Sequence, residues 1–169
     1  SLSFTEMHPL ILRVTDSMRL QAESRGGTIS TELTAGKQTC LIDTAHFSNA
    51  LANIIDNAIK YSGPKPKVRV TSREDGNKLV LEVLDEGIGM DRATQQRIFD
   101  RFYRHSSGNV HNVKGFGLGL SYVRSVILAM EGTIEVKSAA GKGSCFTITL
   151  PLKGKDQANE KDQDLSSGG

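Results

Sequence analysis

The chain has 169 residues, of which 37% are hydrophobic and 24% charged, and its formal net charge is +2 at pH 7. This composition is typical of one soluble globular domain whose core needs neither disulfides nor a structural metal. The small net charge gives no support to a nucleic-acid-binding or membrane-surface function. There is no run of about 18 apolar residues and no signal peptide. Cys40 and Cys145 lack any motif spacing, which favours reduced, buried thiols in a cytosolic fold.

The first half of the chain predicts a helix, two strands and a second helix. Apolar residues recur at helical spacing over residues 7–24, and TISTELT and QTCLID alternate like two strands around an AGK turn. Asp43 or Thr44 then caps a long helix that reaches Tyr61. The segment SGPKP ends that helix.

The second half predicts two hairpins with helices between them. KVRVTSRE and KLVLEVLD form one hairpin around Asp75, Gly76 and Asn77, and TIEVKSA and SCFTITLPL form another around AGKG. Between the hairpins we expect a short helix over residues 92–99, a flexible loop over 103–116 and a helix over about 118–130.

These elements indicate an α+β fold. We expect a two-layer α/β sandwich in which helices pack on one face of a mixed, mostly antiparallel sheet. Residues 1–152 are assigned to this one domain. Residues 153–169 are polar and charged and end in Ser and Gly, so they are predicted to form a disordered tail.

The helix that reaches Tyr61 has an unusual polar side. Its apolar residues share one side, whereas Asn49, Asn53, Asp56, Asn57 and Lys60 share the other. Such a face is commonly just solvated, but asparagine is a poor helix former. An amide oxygen is a good ligand for Mg²⁺, and a lysine is a good partner for phosphate. This side of the helix is therefore a candidate site for both.

Two further stretches contain glycines in patterns that suit a nucleotide. In LDEGIGMD, Asp85 ends a strand and offers a carboxylate to an amino group, and Gly87 and Gly89 let the backbone approach a flat ligand. In KGFGLGLSYV, glycines run into a helix N-terminus, whose N–H groups suit phosphate. Neither pattern is specific alone, and the second fits neither a dinucleotide fingerprint nor a Walker A loop.

The order of these stretches is specific. An NxxxN helix, a DxGxG segment, the aromatic and basic helix RIFDRFYR, a loop and a GxGLGL segment follow one another along the chain. Over residues 28–152 this series resembles the ATP-binding domain of sensor histidine kinases, in the GHKL ATPase superfamily. The resemblance implies the Bergerat ATP-binding fold, ATP and Mg²⁺ as cofactors, and a place in a two-component signal transduction system.

The resemblance also implies roles for individual residues. Asn53, Asn57 and Lys60 are assigned to the catalytic step, with Asn57 as the Mg²⁺ ligand and Lys60 as a phosphate contact. Asp85 is assigned to the adenine amino group, and residues 103–116 to a mobile ATP lid. The other residues implied to bind the nucleotide are Tyr61, Gly87, Ile88, Gly89, Met90, Phe99, Arg101, Phe102, Lys114, Gly115, Phe116, Gly117, Leu118, Gly119, Leu120 and Thr147.

Asn53 and Phe116 distinguish this chain within the superfamily. Asn53 stands where hydrolytic members have a glutamate that activates water, and an amide cannot act as a general base. The resemblance therefore implies a histidine kinase, which transfers the ATP γ-phosphate to a histidine rather than to water. Phe116 departs from the family pattern, in which a small residue, often Thr, lies between the first two glycines.

The acceptor histidine is not recognisable in this chain. None of His8, His46, His105 and His111 lies in a pattern like H-E/D-x-x-x-P, so the chain alone is not expected to autophosphorylate. The implied partners are the parent protein's own dimerisation domain, which bears the histidine, and the receiver domain of a response regulator. No nucleic acid and no direct membrane contact are expected.

The resemblance also bears on location and assembly. The domain is expected to be cytoplasmic and monomeric by itself, within a homodimeric parent whose anchoring in the inner membrane stays open. Two alternative functions stay open too: a serine-protein kinase of the anti-sigma type, and a nucleotide-sensing module that binds ATP without transferring phosphate. A chaperone- or repair-type ATPase is disfavoured, because position 53 is not glutamate.

Overall fold

A computed structural model describes residues 1–34, 36, 38–101 and 119–153. Within these ranges, helices and strands are interspersed along the chain. In chain order they are β1 (Ser3–Glu6), α1 (Met7–Glu23), β2 (Thr28–Leu33), β3 (Thr39–Ile42), α2 (Thr44–Tyr61), β4 (Lys67–Asp75), β5 (Lys78–Asp85), α3 (Arg92–Arg97), α4 (Leu120–Ala129), β6 (Thr133–Ala139) and β7 (Gly143–Pro151).

Five of the strands form one sheet in the order β2-β4-β5-β7-β6. β2 runs parallel to β4, and the other three pairings are antiparallel. The helix α2 lies in the connection between the parallel strands, as a parallel pair requires. β1 and β3 pair antiparallel in a separate two-stranded sheet. The predicted mixed, mostly antiparallel sheet is confirmed.

The core lies between one face of the larger sheet and the helices. Alternate residues of β5 and β7 are buried and oppose one another across the ladder, as Val83 opposes Phe146 and Leu81 opposes Ile148. Because side chains alternate along a strand, these residues share one face. The helix α2 contacts α1, α4, β4 and β5, so it is the central helix of the layer.

Both ends of α2 are held by side chains. At its start, the Asp43 carboxylate accepts a hydrogen bond from the His46 N–H at 3.0 Å, which confirms the predicted cap. At its end, the Arg25 guanidinium donates to the carbonyl oxygens of Ile59 and Gly63, at 2.8 and 3.1 Å. These bonds satisfy carbonyl groups that a helix end leaves without partners. The asparagine-bearing helix is therefore fixed at both termini.

The two strands around the AGK turn form, but they do not pair with each other. β2 joins β4 at the edge of the large sheet, and β3 joins β1, a strand that the sequence analysis did not predict. Alternation of apolar residues identifies a strand and its buried face, but it does not specify the partner that shares its hydrogen bonds.

The other predicted elements form close to the expected bounds. Both hairpins are confirmed, with Asp75 opposite Lys78 in one and Ala139 opposite Gly143 in the other. α3 ends at Arg97, two residues before Phe99, and α4 spans Leu120–Ala129. The predicted loop over 103–116 and the predicted tail beyond residue 153 lie outside the described residues.

The two cysteines are free, as predicted. Cys40 is buried, and this burial raises the pKa of its thiol to about 12. Cys145 is half-buried on the opposite face of the large sheet from α2, and burial raises the pKa of its thiol as well. Both thiols are therefore poor nucleophiles at neutral pH. None of the described helices has the length and apolarity that crossing a bilayer demands.

Candidate functional site

The polar side of α2 is largely buried rather than solvated. Asn53 and Asp56 are 7% and 5% exposed, and Asn57 and Lys60 are half-buried. The Asn53 Nδ2 donates to the Asn49 carbonyl oxygen at 3.0 Å, one turn back along the helix. Polar groups are costly to bury without a partner or a use. We refer to Asn53, Asp56, Asn57 and Lys60 as the helix cluster.

The lysine of the helix cluster is held in place by a buried carboxylate. Lys60 Nζ lies 2.7 Å from Asp56 Oδ2, one turn back along α2. The other carboxylate oxygen, Asp56 Oδ1, accepts a hydrogen bond from Gln21 Nε2 of α1 at 2.6 Å. The ammonium group is thus fixed, and both oxygens of Asp56 have a partner.

A second buried carboxylate lies where β5 ends. Asp85 is 8% exposed and belongs to the face of the sheet that packs against the helices. Its Oδ1 accepts a hydrogen bond from the Gly87 N–H at 2.9 Å. Burial raises the pKa of Asp85, and backbone hydrogen bonds from Gly87 and Ser144 oppose that rise. A buried carboxylate at a strand end is well suited to accept a hydrogen bond from an amino group.

Two glycines after Asp85 make room for protein backbone. A Cβ on Gly87 would lie 1.8 Å from the Tyr61 carbonyl oxygen, and a Cβ on Gly89 would lie 1.9 Å from the Ala139 carbonyl oxygen. Gly89 also has a φ of 68°, which side-chain-bearing residues rarely adopt. The close contacts of these glycines are therefore with the end of α2 and with the β6–β7 turn, and their approach to a flat ligand stays a prediction.

Hydrogen bonds fix the segment that contains these glycines. The Ile88 N–H donates to the Tyr61 carbonyl oxygen at 3.1 Å, and the Ile88 carbonyl accepts from the Gly141 N–H at 2.7 Å. The Met90 N–H donates to Ser138 Oγ at 2.8 Å. Ile88 is 49% exposed and Met90 9%, so Ile88 presents an apolar side chain to solvent whereas Met90 lies at the edge of the core.

The structure brings Ser144 rather than Thr147 to this region. Ser144 opposes Asp85 in the β5–β7 ladder, so the two share the face that packs against the helices. Thr147 opposes Glu82, and its Oγ1 lies 3.8 Å from Cys145 Sγ on the other face. Thr147 is therefore not placed to line the same site as Asp85. We refer to Asp85, Gly87, Gly89 and Ser144 as the strand-end cluster.

The remaining predicted site residues fall into two groups. Among those described, Phe99 packs edge-to-face against Phe146 with ring centroids 6.2 Å apart, Arg101 is exposed, Gly119 is the N-cap of α4, and Leu120 packs against the core. The predicted residues that lie outside the described ranges are Phe102, Lys114, Gly115, Phe116, Gly117 and Leu118.

The helix cluster and the strand-end cluster adjoin at Tyr61 and Gly87. One offers amides and an ammonium group, and the other offers a buried carboxylate beside tightly packed backbone. This combination suits a ligand with an amino-bearing ring at one end and anionic groups at the other. Fold and site together have the chemistry expected of a nucleotide-binding domain.

The family follows from the sequence profile that matches this chain. The family described as histidine kinase-, DNA gyrase B-, and HSP90-like ATPase matches residues 42–154. The match includes α2, both hairpins and all residues of the two clusters. The chain belongs to this family.

Curated relatives narrow the class to sensor kinases. The chain is 37% identical to sensor protein RprX of Bacteroides fragilis over 153 residues, which cover 89% of this chain and 30% of RprX. It is 40% identical to sensor-like histidine kinase SenX3 of Mycobacterium tuberculosis over 116 residues, covering 69% of this chain and 27% of SenX3. The chain thus spans less than a third of the length of these relatives. It is an ATP-binding catalytic domain of the sensor histidine kinase type.

Solved structures share the fold. The mycobacterial sensor histidine kinase MprB superposes with a TM-score of 0.74 at 27% identity, covering 90% of this chain and 99% of that one. The catalytic domain of histidine kinase ThkA superposes with a TM-score of 0.78 at 22% identity, covering 90% and 96%. The α+β sandwich predicted from the sequence is confirmed.

Proposed function

We propose that this domain binds ATP with Mg²⁺ and, within its parent protein, transfers the γ-phosphate to a histidine on a separate dimerisation domain, for relay to a response regulator. The observation that carries this proposal is the chemistry of the helix cluster. Position 53 holds a buried amide, and the carboxylate of Asp56 already has Lys60 and Gln21 as partners. The cluster therefore has a cation for phosphate but no available base to activate water.

The two clusters suggest how the nucleotide lies. The adenine amino group donates to Asp85, with Ser144 and Ile88 beside the ring, and the phosphates extend toward Lys60. Asn53, Asn57 and Tyr61 line the path between them. At the start of α4, Gly119 offers a helix N-terminus, whose backbone N–H groups suit the phosphates. Holding the γ-phosphate in line with an incoming imidazole nitrogen supplies most of the catalysis in such a transfer.

The helix cluster has the chemistry to hold a Mg²⁺ ion, with Asn57 as the residue that would hold it. Asn57 supplies a half-buried amide oxygen, a donor that hard cations accept. The described parts of the chain contain no group of three or more His, Cys, Asp or Glu side chains able to hold a metal alone. Phosphate oxygens and water would therefore complete the coordination, and the bound ion would offset phosphate charge.

Two structural relatives support the ligand and the partner. Full-length ShkA, 27% identical to this chain, is known in complex with AMPPNP. ThkA, 20% identical, is known in complex with the response regulator protein TrrA. The relatives described above are sensor kinases, which disfavours a serine kinase of the anti-sigma type. We place the domain in the cytoplasm, as the catalytic part of a homodimeric parent.

Phosphate transfer to a supplied histidine domain tests the proposal. The domain is incubated with Mg²⁺ and γ-labelled ATP, with and without a separately produced dimerisation domain. We expect acid-labile, base-stable label on the dimerisation domain and none on this chain alone. Asp85→Asn serves as the control, in which labelling at low ATP concentration should fall strongly. Binding of ATP without any transfer, or acid-stable label on a serine-containing protein, would instead favour one of the alternative functions.

A further inference from the structure

Asp56 is a buried acidic residue to which the proposed function gives no role. It is 5% exposed and lies in the middle of the helix cluster, next to Asn57 in sequence and one turn before Lys60. A buried carboxylate without compensation is strongly unfavourable. Its contacts therefore decide whether it serves the fold alone or also the site.

Each oxygen of the Asp56 carboxylate is engaged by a different element. Oδ2 lies 2.7 Å from Lys60 Nζ of the same helix, and Oδ1 accepts from Gln21 Nε2 of α1 at 2.6 Å. Gln21 thus fixes the carboxylate through one oxygen, and the other oxygen of the carboxylate fixes the Lys60 ammonium. A chain of two short bonds runs from α1 to the lysine.

This ion pair differs from the surface pairs of the same protein. The side chains of Lys60 and Asp56 are 15% and 8% exposed, whereas those of Arg19 and Asp16 are 34% and 63% exposed. A buried ion pair is weak evidence for stability, because well-packed apolar residues often do as well. Its position on the polar side of α2, beside Asn53 and Asn57, points to a use for the charge of Lys60.

The charge of Asp56 also acts on a second residue of the candidate site. Burial and then the negative charge of Asp56 raise the pKa of Tyr61, the last residue of α2. Asp56 therefore acts electrostatically on two neighbouring residues that the nucleotide would contact, Lys60 and Tyr61. A flexible lysine loses substantial rotamer entropy when a ligand orders it, and a lysine already held loses less.

We propose that Asp56 is a positioning residue whose carboxylate, fixed by Gln21 of α1, holds the Lys60 ammonium in place for a nucleotide phosphate. This inference rests on the proposed function, which assigns Lys60 to phosphate. It adds that the position of Lys60 depends on the packing of α1 against α2. A displacement of α1 that withdraws Gln21 leaves the carboxylate, and hence the ammonium, less well held.

The test compares a ligand that has phosphates with one that lacks them. Asp56→Asn removes the charge but retains an oxygen that accepts from Gln21. We expect the affinity for ATP, measured by calorimetry, to fall about tenfold, the size of a lost charge-assisted bond, and the affinity for adenosine to stay unchanged. After Lys60→Met, Asp56→Asn should have no further effect on ATP affinity. Gln21→Met should give the same pattern with a smaller loss, about threefold, and it guards against a folding defect in Asp56→Asn.

The matched control is Asp16→Asn, which breaks the exposed pair with Arg19 on α1 and should change neither affinity. Equal losses for ATP and adenosine would show that Asp56 only supports the fold. A gain in ATP affinity would show that Asp56 competes with phosphate for Lys60. Additive effects of the Asp56 and Lys60 variants would also overturn the proposal. If Lys60→Met alone leaves ATP affinity unchanged, Lys60 does not contact phosphate. That result would contradict the part of the proposed function on which this inference rests.

Discussion

The strand-end cluster and the helix cluster are built in different ways. Around Asp85 the geometry is set by backbone, since Gly87 and Gly89 lie against carbonyl groups at distances that admit no side chain. Around Lys60 it is set by side chains of one helix and by Gln21 of another. Backbone contacts of this kind leave little room for movement. Hydrogen bonds and ion pairs between side chains can instead adjust when the packing of the helices changes.

This difference suits the two ends of a nucleotide. The purine is flat and rigid, and a fixed carboxylate can select its amino group. The phosphates change in number and charge during the reaction, so a cation held by adjustable contacts is more useful there. In the proposed function, the rigid cluster serves recognition and the adjustable one serves transfer. The following four changes break or sharpen this comparison, from the largest expected effect to the smallest.

Gly87→Ala should damage both clusters at the point where they meet. A Cβ 1.8 Å from the Tyr61 carbonyl oxygen must displace either the end of α2 or the segment after β5. We expect the free energy of unfolding in urea to fall by about 3 kcal/mol, and the affinities for ATP and adenosine to fall together. In the control Gly119→Ala, the nearest atom to the new Cβ among the described residues is Ser121 Oγ, at 3.8 Å. Because alanine is a poorer N-cap than glycine, this control should lose some stability, but much less than Gly87→Ala. Equal losses in the two variants would show that the contact between Gly87 and Tyr61 tolerates a side chain.

Asp85→Asn should separate recognition from folding. The variant loses the acceptor for the adenine amino group, so affinity for ATP and adenosine should fall about 30-fold, or about 2 kcal/mol. The free energy of unfolding should not fall, because a buried carboxylate is removed. The control is Glu86→Gln, which removes the neighbouring exposed charge and should have no effect on binding. Unchanged ATP affinity in Asp85→Asn would refute the base contact.

Asn57→Ala should affect the helix cluster only, and only with metal present. Without the amide oxygen, ATP affinity in Mg²⁺ should fall about tenfold, while ATP affinity in a chelator and adenosine affinity stay the same. Asn49→Ala is the matched control, since Asn49 is an exposed asparagine two turns earlier on the same helix. Equal losses with and without Mg²⁺ would remove the metal assignment.

Acidification should act on the strand-end cluster with opposite signs for binding and stability. Burial raises the pKa of Asp85 above its ordinary value of 3.8, so the carboxyl takes up a proton at a pH where an exposed aspartate is still ionised. As pH falls through that raised pKa, adenosine affinity should drop a few-fold, about 1 kcal/mol, because the acceptor is lost. The contribution of Asp85 to stability is present below the ordinary value and lost as pH rises through the raised pKa. Adenosine affinity and the free energy of unfolding are measured against pH in the wild type and in Asp85→Asn. Both of these pH dependences should be absent from the variant.

Much of the fold was predictable because local patterns determine it. Helices α1 and α2 and both hairpins follow from apolar spacing, from Asp43 as a cap and from glycine-containing turns. The pairing of β2 with β4 and of β3 with β1 was not predictable, because it depends on the crossover through α2 and on β1. Strand pairing is a property of the whole chain, whereas alternation is local.

Candidate site residues could be named from the sequence where a residue type and a fixed order of motifs coincide, as for Asn57 and Asp85, and their roles stay predictions. The resemblance implied that residues 143–147 lie near the base, and Thr147 rather than Ser144 was named among them, although β7 contains the signal for Ser144. Phe146, Ile148 and Leu150 alternate as core residues, so Ser144 shares their face and Thr147 does not. The proposed role of Asp56 had no such signal, because its partner Gln21 lies 35 residues away in sequence.

The buried thiol of Cys40 is a built-in probe of local opening of the domain. Its pKa of about 12 and its burial between the small sheet and the core leave almost no thiolate available to an alkylating reagent while the domain is folded. Only opening of that region exposes the sulfur. The rate at which a maleimide modifies Cys40, followed by mass spectrometry with and without ATP, would therefore report how much a ligand slows that opening, with no label introduced into the protein.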